Sequence, residues 1–470
     1  MTQTAKAQRP TVAIITMFFL FAMISFVTNL AAPIGTIWGN TYEGNSVLGM
    51  MGNMMNFLAY LFMGIPAGKL LEKIGYKKTA LWAMAVGVVG LFIQFLSSTV
   101  GVDTSMFTMS STIEENGVAV VKEFNVCLNF FIYLLGAFIC GFCVCMLNTV
   151  VNPMLNILGG GGNKGNQLIQ TGGALNSLSG TLTPFFVGAL IGQLSKSTTM
   201  QAVTPLLFIA MGVFALAFII ISCVSIPEPN LVKKGAKRVK YTHSAWNFRH
   251  TVLGVIGIFF YVGIEIGIPG TLNFYLADQK ATGAGVIGDA SAIAGAIVAI
   301  YWLLMLIGRS LSSAISGKIS ARMQLTVVSA VAMLLIILAI FIPKSSTITV
   351  PSFIYTDAAG MTAHVPVSAF LLVLCGLCTS VMWGGIFNIA VEGLGKYTAQ
   401  ASGIFMMMVV GGGVMPLIQQ GIAQNAGYMA SYWLVVAMLA YLFFYAVAGA
   451  KNVNTDIPVD EEETPDLRNL

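Results

Sequence analysis

The chain alternates long apolar runs with short polar ones. A helix needs about 20 apolar residues to cross the hydrocarbon of a bilayer. Twelve such runs can be marked, roughly 11–38, 47–71, 77–98, 127–150, 167–193, 202–226, 251–277, 290–316, 323–342, 365–388, 398–421 and 428–450. A membrane β-barrel would instead show alternating segments of about ten residues, so the pattern predicts an all-α integral membrane fold of twelve transmembrane helices. The interval PEPNLVKKGAKRVKYTHSAWNFRH at 227–250 is both long and basic, and it divides the spans six and six. The expected organisation is a six-helix half over 1–226, a cytoplasmic linker over 227–250, a second six-helix half over 251–450 and an acidic cytoplasmic tail over 451–470.

Composition strengthens this picture. Charged residues make up 9% and hydrophobic residues 57%, with a mean hydropathy of +0.84. A soluble domain carries about 25% charged residues, so this chain cannot cover a globular surface with polar groups. The net charge of +5 orients the protein and gives no sign of nucleic-acid binding. With an even number of spans and the N-terminus inside, only Lys122, Lys196, Lys280 and Lys344 fall outside, and the other basic residues fall on the inner side. That bias puts both termini in the cytoplasm. The seven cysteines, Cys127, Cys140, Cys143, Cys145, Cys223, Cys375 and Cys378, fall within apolar runs, and the two C-x-x-C spacings lack nearby histidine or charged residues, so all are expected to pack as small buried hydrophobes with no metal.

A weak internal echo links the halves. GKLLEKIGYKK begins at Gly68 after the second span, and GKISARMQL begins at Gly317 after the eighth. Leu158-Gly159 and Leu394-Gly395 follow the fourth and tenth spans in the same way.

The residue that departs most from the apolar background is Glu265, in the middle of IGIFFYVGIEIGIPGTLNFYL. A carboxylate in hydrocarbon costs several kcal/mol, so it faces a polar cavity, finds a partner or titrates. Arg309 stands nine residues before Lys318, about 13 Å along a helix, and is also expected inside the membrane, either paired with Glu265 or on an inner-end carbonyl. The amides Asn29, Asn53, Asn148, Asn152, Gln170, Asn176 and Asn273 lie in or at the ends of apolar spans. An amide both donates and accepts, which suits a ligand bearing many hydroxyls, although bonds between helices satisfy the same groups. Tyr261 stands one turn before Glu265 and could reach the same cavity, and Trp383 could stack on the apolar face of a ligand; packing alone accounts for either. The three histidines, His243, His250 and His364, lie in loops or at a span edge, and there is no GxxxxGK[ST] nucleotide motif. Neither an enzyme nor an ATP-driven pump is indicated, and no cofactor is expected.

GIPAGKLLEKIGYKK, with Gly68, Glu72, Lys73, Gly75, Lys77 and Lys78 in place, resembles the loop motif between spans 2 and 3 of the major facilitator superfamily. There Gly68 would allow close helix approach, and Glu72 with the lysines would form a charged latch at the inner face. FFYVGIEIGIPGTLNFYL, IGRSLSSAISGKI, LNTVVNPMLNILG and WGGIFNIAVEGLGKYTAQASGIFMMMVVGGGVMPLIQQ resemble the fucose/galactose/glucose symporter family. The resemblance covers most of the chain outside the outer loops 99–126 and 343–364 and the tails. It implies two parallel halves around a midplane site and a bacterial inner-membrane transporter of hexoses or deoxyhexoses, working by alternating access as a monomer. Proton-coupled fucose members carry an Asp in span 1 and a Glu in span 4 where this chain has Asn29 and Asn148. An amide does not exchange protons in the physiological range, so the coupling cation, proton or sodium, falls to Glu265, and a facilitator without coupling stays open. The rival expectations are an exporter of amphipathic compounds, which would suit the many methionines, and a non-transporting membrane sugar sensor.

Overall fold

The computed structural model describes residues 10–115, 118–158, 162–191, 198–224, 226, 228, 243–279, 281–287, 290–315, 319–351, 362–394 and 397–459. Most of the expected linker, the end of the acidic tail, Gly159, Gly317, Lys318 and Gly395 lie outside these residues, as do the side chains of Glu72 and Gln170.

The first crossing is α1 (Pro10–Asn29) continued by α2 (Ala31–Thr41). The chain then runs through α3 (Ser46–Leu96), which makes two crossings because Gly75 breaks it with φ +85°. The crossings α4 (Leu128–Leu158), α5 (Gly162–Ile191) and α6 (Thr204–Cys223) complete the first half. The second half holds α7 (Arg249–Ala277), α8 (Ala290–Ile315), α9 (Ala321–Phe341) and α10 (Val367–Ala390). It closes with α11 (Thr398–Met408) continued by α12 (Gly411–Ala426), then α13 (Tyr428–Phe444). Eleven stretches among the described residues are long and apolar enough to cross a membrane. The helix α5 stands where the sequence predicts the fifth span, which gives the twelve-helix arrangement.

The two long loops expected on the outer side each hold an antiparallel strand pair, which the apolar pattern does not foretell. The strand β1 (Ser105–Glu115) pairs with β2 (Val118–Cys127), and β3 (Thr347–Pro351) pairs with β4 (Thr362–Pro366). The longer hairpin is seated on an aromatic cluster: Phe124 of β2 lies 5.3 Å from Tyr42, and Trp38 lies 5.0 Å from Phe130. Cys127 thus ends a strand instead of lying within a span, and Cys223 is exposed at the end of α6, so only the other five thiols are buried as expected.

Within the first half, α3 and α4 approach closely at small residues. A Cβ on Gly90 would meet the Cys140 backbone nitrogen at 2.7 Å, and one on Gly136 would meet that of Gln94 at 2.7 Å. Lipid is as apolar as leucine, so such close backbone packing is a main source of helix association in a bilayer.

Candidate functional site

Between the halves lies a cavity of about 460 Å³. The walls come from α1, α3, α4 and α5 on one side and from α7, α8, α10 and α11 on the other. The first half supplies the neutral polar groups Asn29, Asn53, Tyr60, Asn148, Asn152 and Asn176. The second half supplies Glu265, Arg309, Trp302 and Trp383 among apolar residues. Of the residues singled out from sequence, eight line this space: Asn29, Asn53, Asn148, Asn152, Asn176, Glu265, Arg309 and Trp383.

The carboxylate is placed by a helix defect. Pro269 has no N–H to donate to the carbonyl four residues earlier, which belongs to Glu265. The Tyr301 hydroxyl donates to that carbonyl at 3.3 Å and sits 2.9 Å from Thr379 Oγ1, tying α7 to α8 and α10. The same register recurs at Asn29 and Pro33, where α1 ends. Asn29 and Glu265 are separated in sequence by the same distance as the echo pair Leu158 and Leu394. Both line the cavity, so the first helices of the two halves present one amide and one acid.

Arg309 meets Glu265 as the sequence reading anticipated. Its Nη2 donates to Glu265 Oε1 at 3.2 Å, with 12% and 14% of the two side chains exposed. Its Nη1 donates across the halves to the Gly173 carbonyl at 2.7 Å and to Ser177 Oγ at 2.9 Å, both on α5. A planar guanidinium with a fixed fork of donors is suited to this bridging.

The amides are anchored before any ligand is considered. Asn29 Nδ2 donates to the Ser25 carbonyl at 2.8 Å, and Asn148 Nδ2 donates to Tyr60 Oη at 2.9 Å. Asn152 Nδ2 donates to the Asn148 carbonyl at 3.0 Å, and Asn176 Nδ2 to the Phe21 carbonyl at 3.3 Å. Fixing each nitrogen in this way orients the amide oxygen as an acceptor for a hydroxyl, and a second N–H of Asn152 and of Asn176 remains to donate. Asn53 joins the halves by donating to the Gly412 carbonyl at 3.0 Å.

Two of the named residues stand elsewhere. Tyr261 is fully buried behind the wall, its ring tilted against Trp383 with centroids 6.1 Å apart. Asn273 does not line the cavity; its Nδ2 donates to Thr36 Oγ1 at 3.1 Å and links α7 to α2. Sequence reading passed over Trp302, Tyr60, Ser177 and Asn388. Trp302 was findable, because it stands seven residues before Arg309 and therefore shares its helix face.

At the loop motif, the charged latch expected of Glu72 falls on a side chain outside the described residues, and Glu228 makes a different contact with the bend. Its carboxylate accepts from the backbone N–H of Tyr76 at 2.6 Å and of Lys77 at 2.9 Å. Lys77 Nζ donates to the carbonyls of Ser222 and Val224, each at 2.8 Å. A Cβ at Gly75 would collide with the Glu228 carboxylate, and φ there is +85°. At Gly68, expected at a close helix approach, no atom of the described residues lies within 4 Å of where a Cβ would stand. Lys73 and Lys78 are exposed.

Comparisons with known proteins agree with this arrangement. Residues 14–408 match the model of the Major Facilitator Superfamily. The chain is 28% identical over 456 residues to a glucose/galactose transporter of Brucella abortus, covering 96% of this chain and 97% of that one. It is 23% identical over 417 residues to the L-fucose-proton symporter of Escherichia coli, covering 83% and 82% respectively. Among solved structures, FucP in the outward conformation superposes with a TM-score of 0.64 at 17% identity, over 93% of this chain and 97% of that one. A mutant form of the nucleoside transporter NupG gives 0.61 at 14% identity, over 94% and 100%.

Proposed function

The chain belongs to the major facilitator superfamily, and from that premise we propose that it carries a neutral hexose or deoxyhexose across the bacterial inner membrane by alternating access. A cation moves with the sugar through Glu265. The observation that carries this reading is the lining of the cavity, in which anchored neutral amides face two indoles and the charges are paired. Amides bind hydroxyls, indoles cover the apolar face of a sugar ring, and a paired carboxylate offers a site for one cation. At about 460 Å³ the space falls within the usual range for small-molecule sites, roughly 300–1,000 Å³. An exporter of amphipathic compounds has no use for so many fixed amides.

Bonds between the halves near the hairpins, Asn53 to Gly412 and Asn273 to Thr36, support reading this conformation as closed outside. Asn388, exposed at the opposite end of the cavity, supports an opening toward the cytoplasm. Relatives named for glucose, galactose and L-fucose transport support the substrate class. The proton is preferred as the coupling ion, because a single carboxylate among amides is a minimal site for sodium. Right-side-out vesicles given labelled glucose, galactose or L-fucose test the reading. Accumulation under a pH gradient without sodium is expected. Accumulation driven only by sodium would replace the ion, equilibration without accumulation would make the protein a facilitator, and no uptake of any of the three would overturn the sugar assignment.

A further inference from the structure

We propose that Ser177, together with the Gly173 carbonyl, is a positioning cradle on α5 through which the Glu265–Arg309 pair senses whether the two halves are closed on each other. The proposal rests on the transport reading above and assigns to α5 a part in coupling.

The two ends of one guanidinium serve different halves. Nη2 faces Glu265 on α7, while Nη1 is held by Gly173 and Ser177 on α5. Ser177 is fully buried, so its hydroxyl has no water to turn to, and it accepts the charged donor. When α5 and α8 part, Arg309 loses both neutral acceptors at once and depends on Glu265 alone. When a cation occupies the Glu265 carboxylate, Arg309 loses its charged partner and depends on the cradle. Closure and cation occupancy therefore act on one another through Arg309, and such coupling is reciprocal by thermodynamic necessity.

The helix α5 also carries the signal to the ligand. Asn176, adjacent to Ser177, lines the cavity and donates to the Phe21 carbonyl of α1. A shift of α5 that frees Arg309 moves this amide at the same time. Sugar contact and cation site are thus one helix apart, with Ser177 between them. A residue serving only to pack α5 would not distinguish driven accumulation from exchange.

The experiment uses the full chain in proteoliposomes, with labelled galactose, glucose and L-fucose as probes. Ser177→Ala is expected to keep counterflow exchange within about twofold of the parent, while gradient-driven accumulation falls about fivefold or more. Ser177→Thr, which restores the hydroxyl, is expected to recover accumulation. In nanodiscs, hydrogen–deuterium exchange around 173–177 and around Arg309 is expected to rise in Ser177→Ala, to stay near the parent in Glu265→Gln, where the cradle still holds Arg309, and to rise by more than the sum of the two in the double variant. Unchanged accumulation or unchanged deuterium exchange in Ser177→Ala, or merely additive effects in the double variant, would overturn the cradle. Parallel loss of counterflow and accumulation would make Ser177 a substrate contact instead. If the parent exchanges none of the three sugars, the transport reading fails, and the deuterium comparison alone decides the cradle.

Discussion

At the scale of single residues, the buried ion pair makes unequal demands on its two members. Without Glu265, the Arg309 guanidinium keeps Gly173 and Ser177 as acceptors. Without Arg309, the Glu265 carboxylate keeps no cation among the described residues. Removing one member of a buried pair costs about 3–5 kcal/mol when the other is left uncompensated. Arg309→Gln is therefore expected to lower the thermal midpoint in detergent more than Glu265→Gln does, and equal midpoints would show that the cradle contributes nothing. Glu265→Gln retains the shape of the side chain and is expected to abolish gradient-driven accumulation while leaving equilibrium exchange; full accumulation in this variant at every pH and sodium concentration would exclude it as the coupling site. The amides make a separate prediction. Asn29→Ala and Asn148→Ala each remove an anchored acceptor, and sugar binding is expected to weaken by about 1–3 kcal/mol in either case. Titration calorimetry giving the parent affinity for both would return these residues to a structural role.

At the scale of elements, the bend that divides α3 depends on one glycine and one distant acid. Gly75 combines φ +85° with ψ 175°, a region that costs a residue with a Cβ about 1–3 kcal/mol, and the Glu228 carboxylate occupies the space such an atom needs. Gly75→Ala is expected to destabilise by at least that amount. Combining it with Glu228→Ala should cost less than the two single changes together, because the collision disappears; strict additivity in thermal unfolding would refute this account. The number and position of the crossings were legible in the sequence because a bilayer demands about 20 apolar residues wherever a helix spans it. The hairpins were not read, although Val118, Val120 and Val121 carry the β-branched character of a strand, because in a chain dominated by apolar helices short strands leave only a faint periodicity. Glu265 and Arg309 stood out as charges in apolar runs. Trp302 and Tyr60 did not, since an aromatic residue on a membrane helix more often packs or faces lipid than ligand. Glu228 was invisible as a partner of Gly75 because the contact joins positions far apart in the chain.

At the scale of the whole molecule, orientation follows from the distribution of lysine and arginine and has a direct test. Val121, exposed on the longer hairpin, and Lys73, exposed at the α3 bend, belong to opposite sides of the membrane in this reading. Cysteine placed at Val121 in a variant lacking other accessible thiols is expected to react with an impermeant maleimide applied to intact cells. Cysteine at Lys73 is expected to react only after the membrane is opened, and the reverse pattern would invert the protein. Two related halves do not produce two equivalent sites. At the repeated four-residue spacing to a proline, one half offers Asn29 before Pro33 and the other Glu265 before Pro269, so the halves match in position there and differ in charge.

Under the coupling proposed above, a single acid sets a ceiling on how far a transporter of this design can concentrate its cargo. Among the described residues Glu265 is the one carboxylate lining the cavity, and in that proposal it carries one monovalent cation per sugar. Moving one elementary charge through a membrane potential of about 100 mV yields about 2.3 kcal/mol, and about 1.4 kcal/mol corresponds to a tenfold ratio. Potential alone thus sustains a gradient of about 50-fold for a neutral sugar, and each unit of proton gradient adds about another tenfold. Steady-state accumulation in vesicles held at about 100 mV without a pH difference is expected to level off at or below that ratio. A plateau well above it would require a second coupling ion, and among the described residues the cavity offers no second carboxylate.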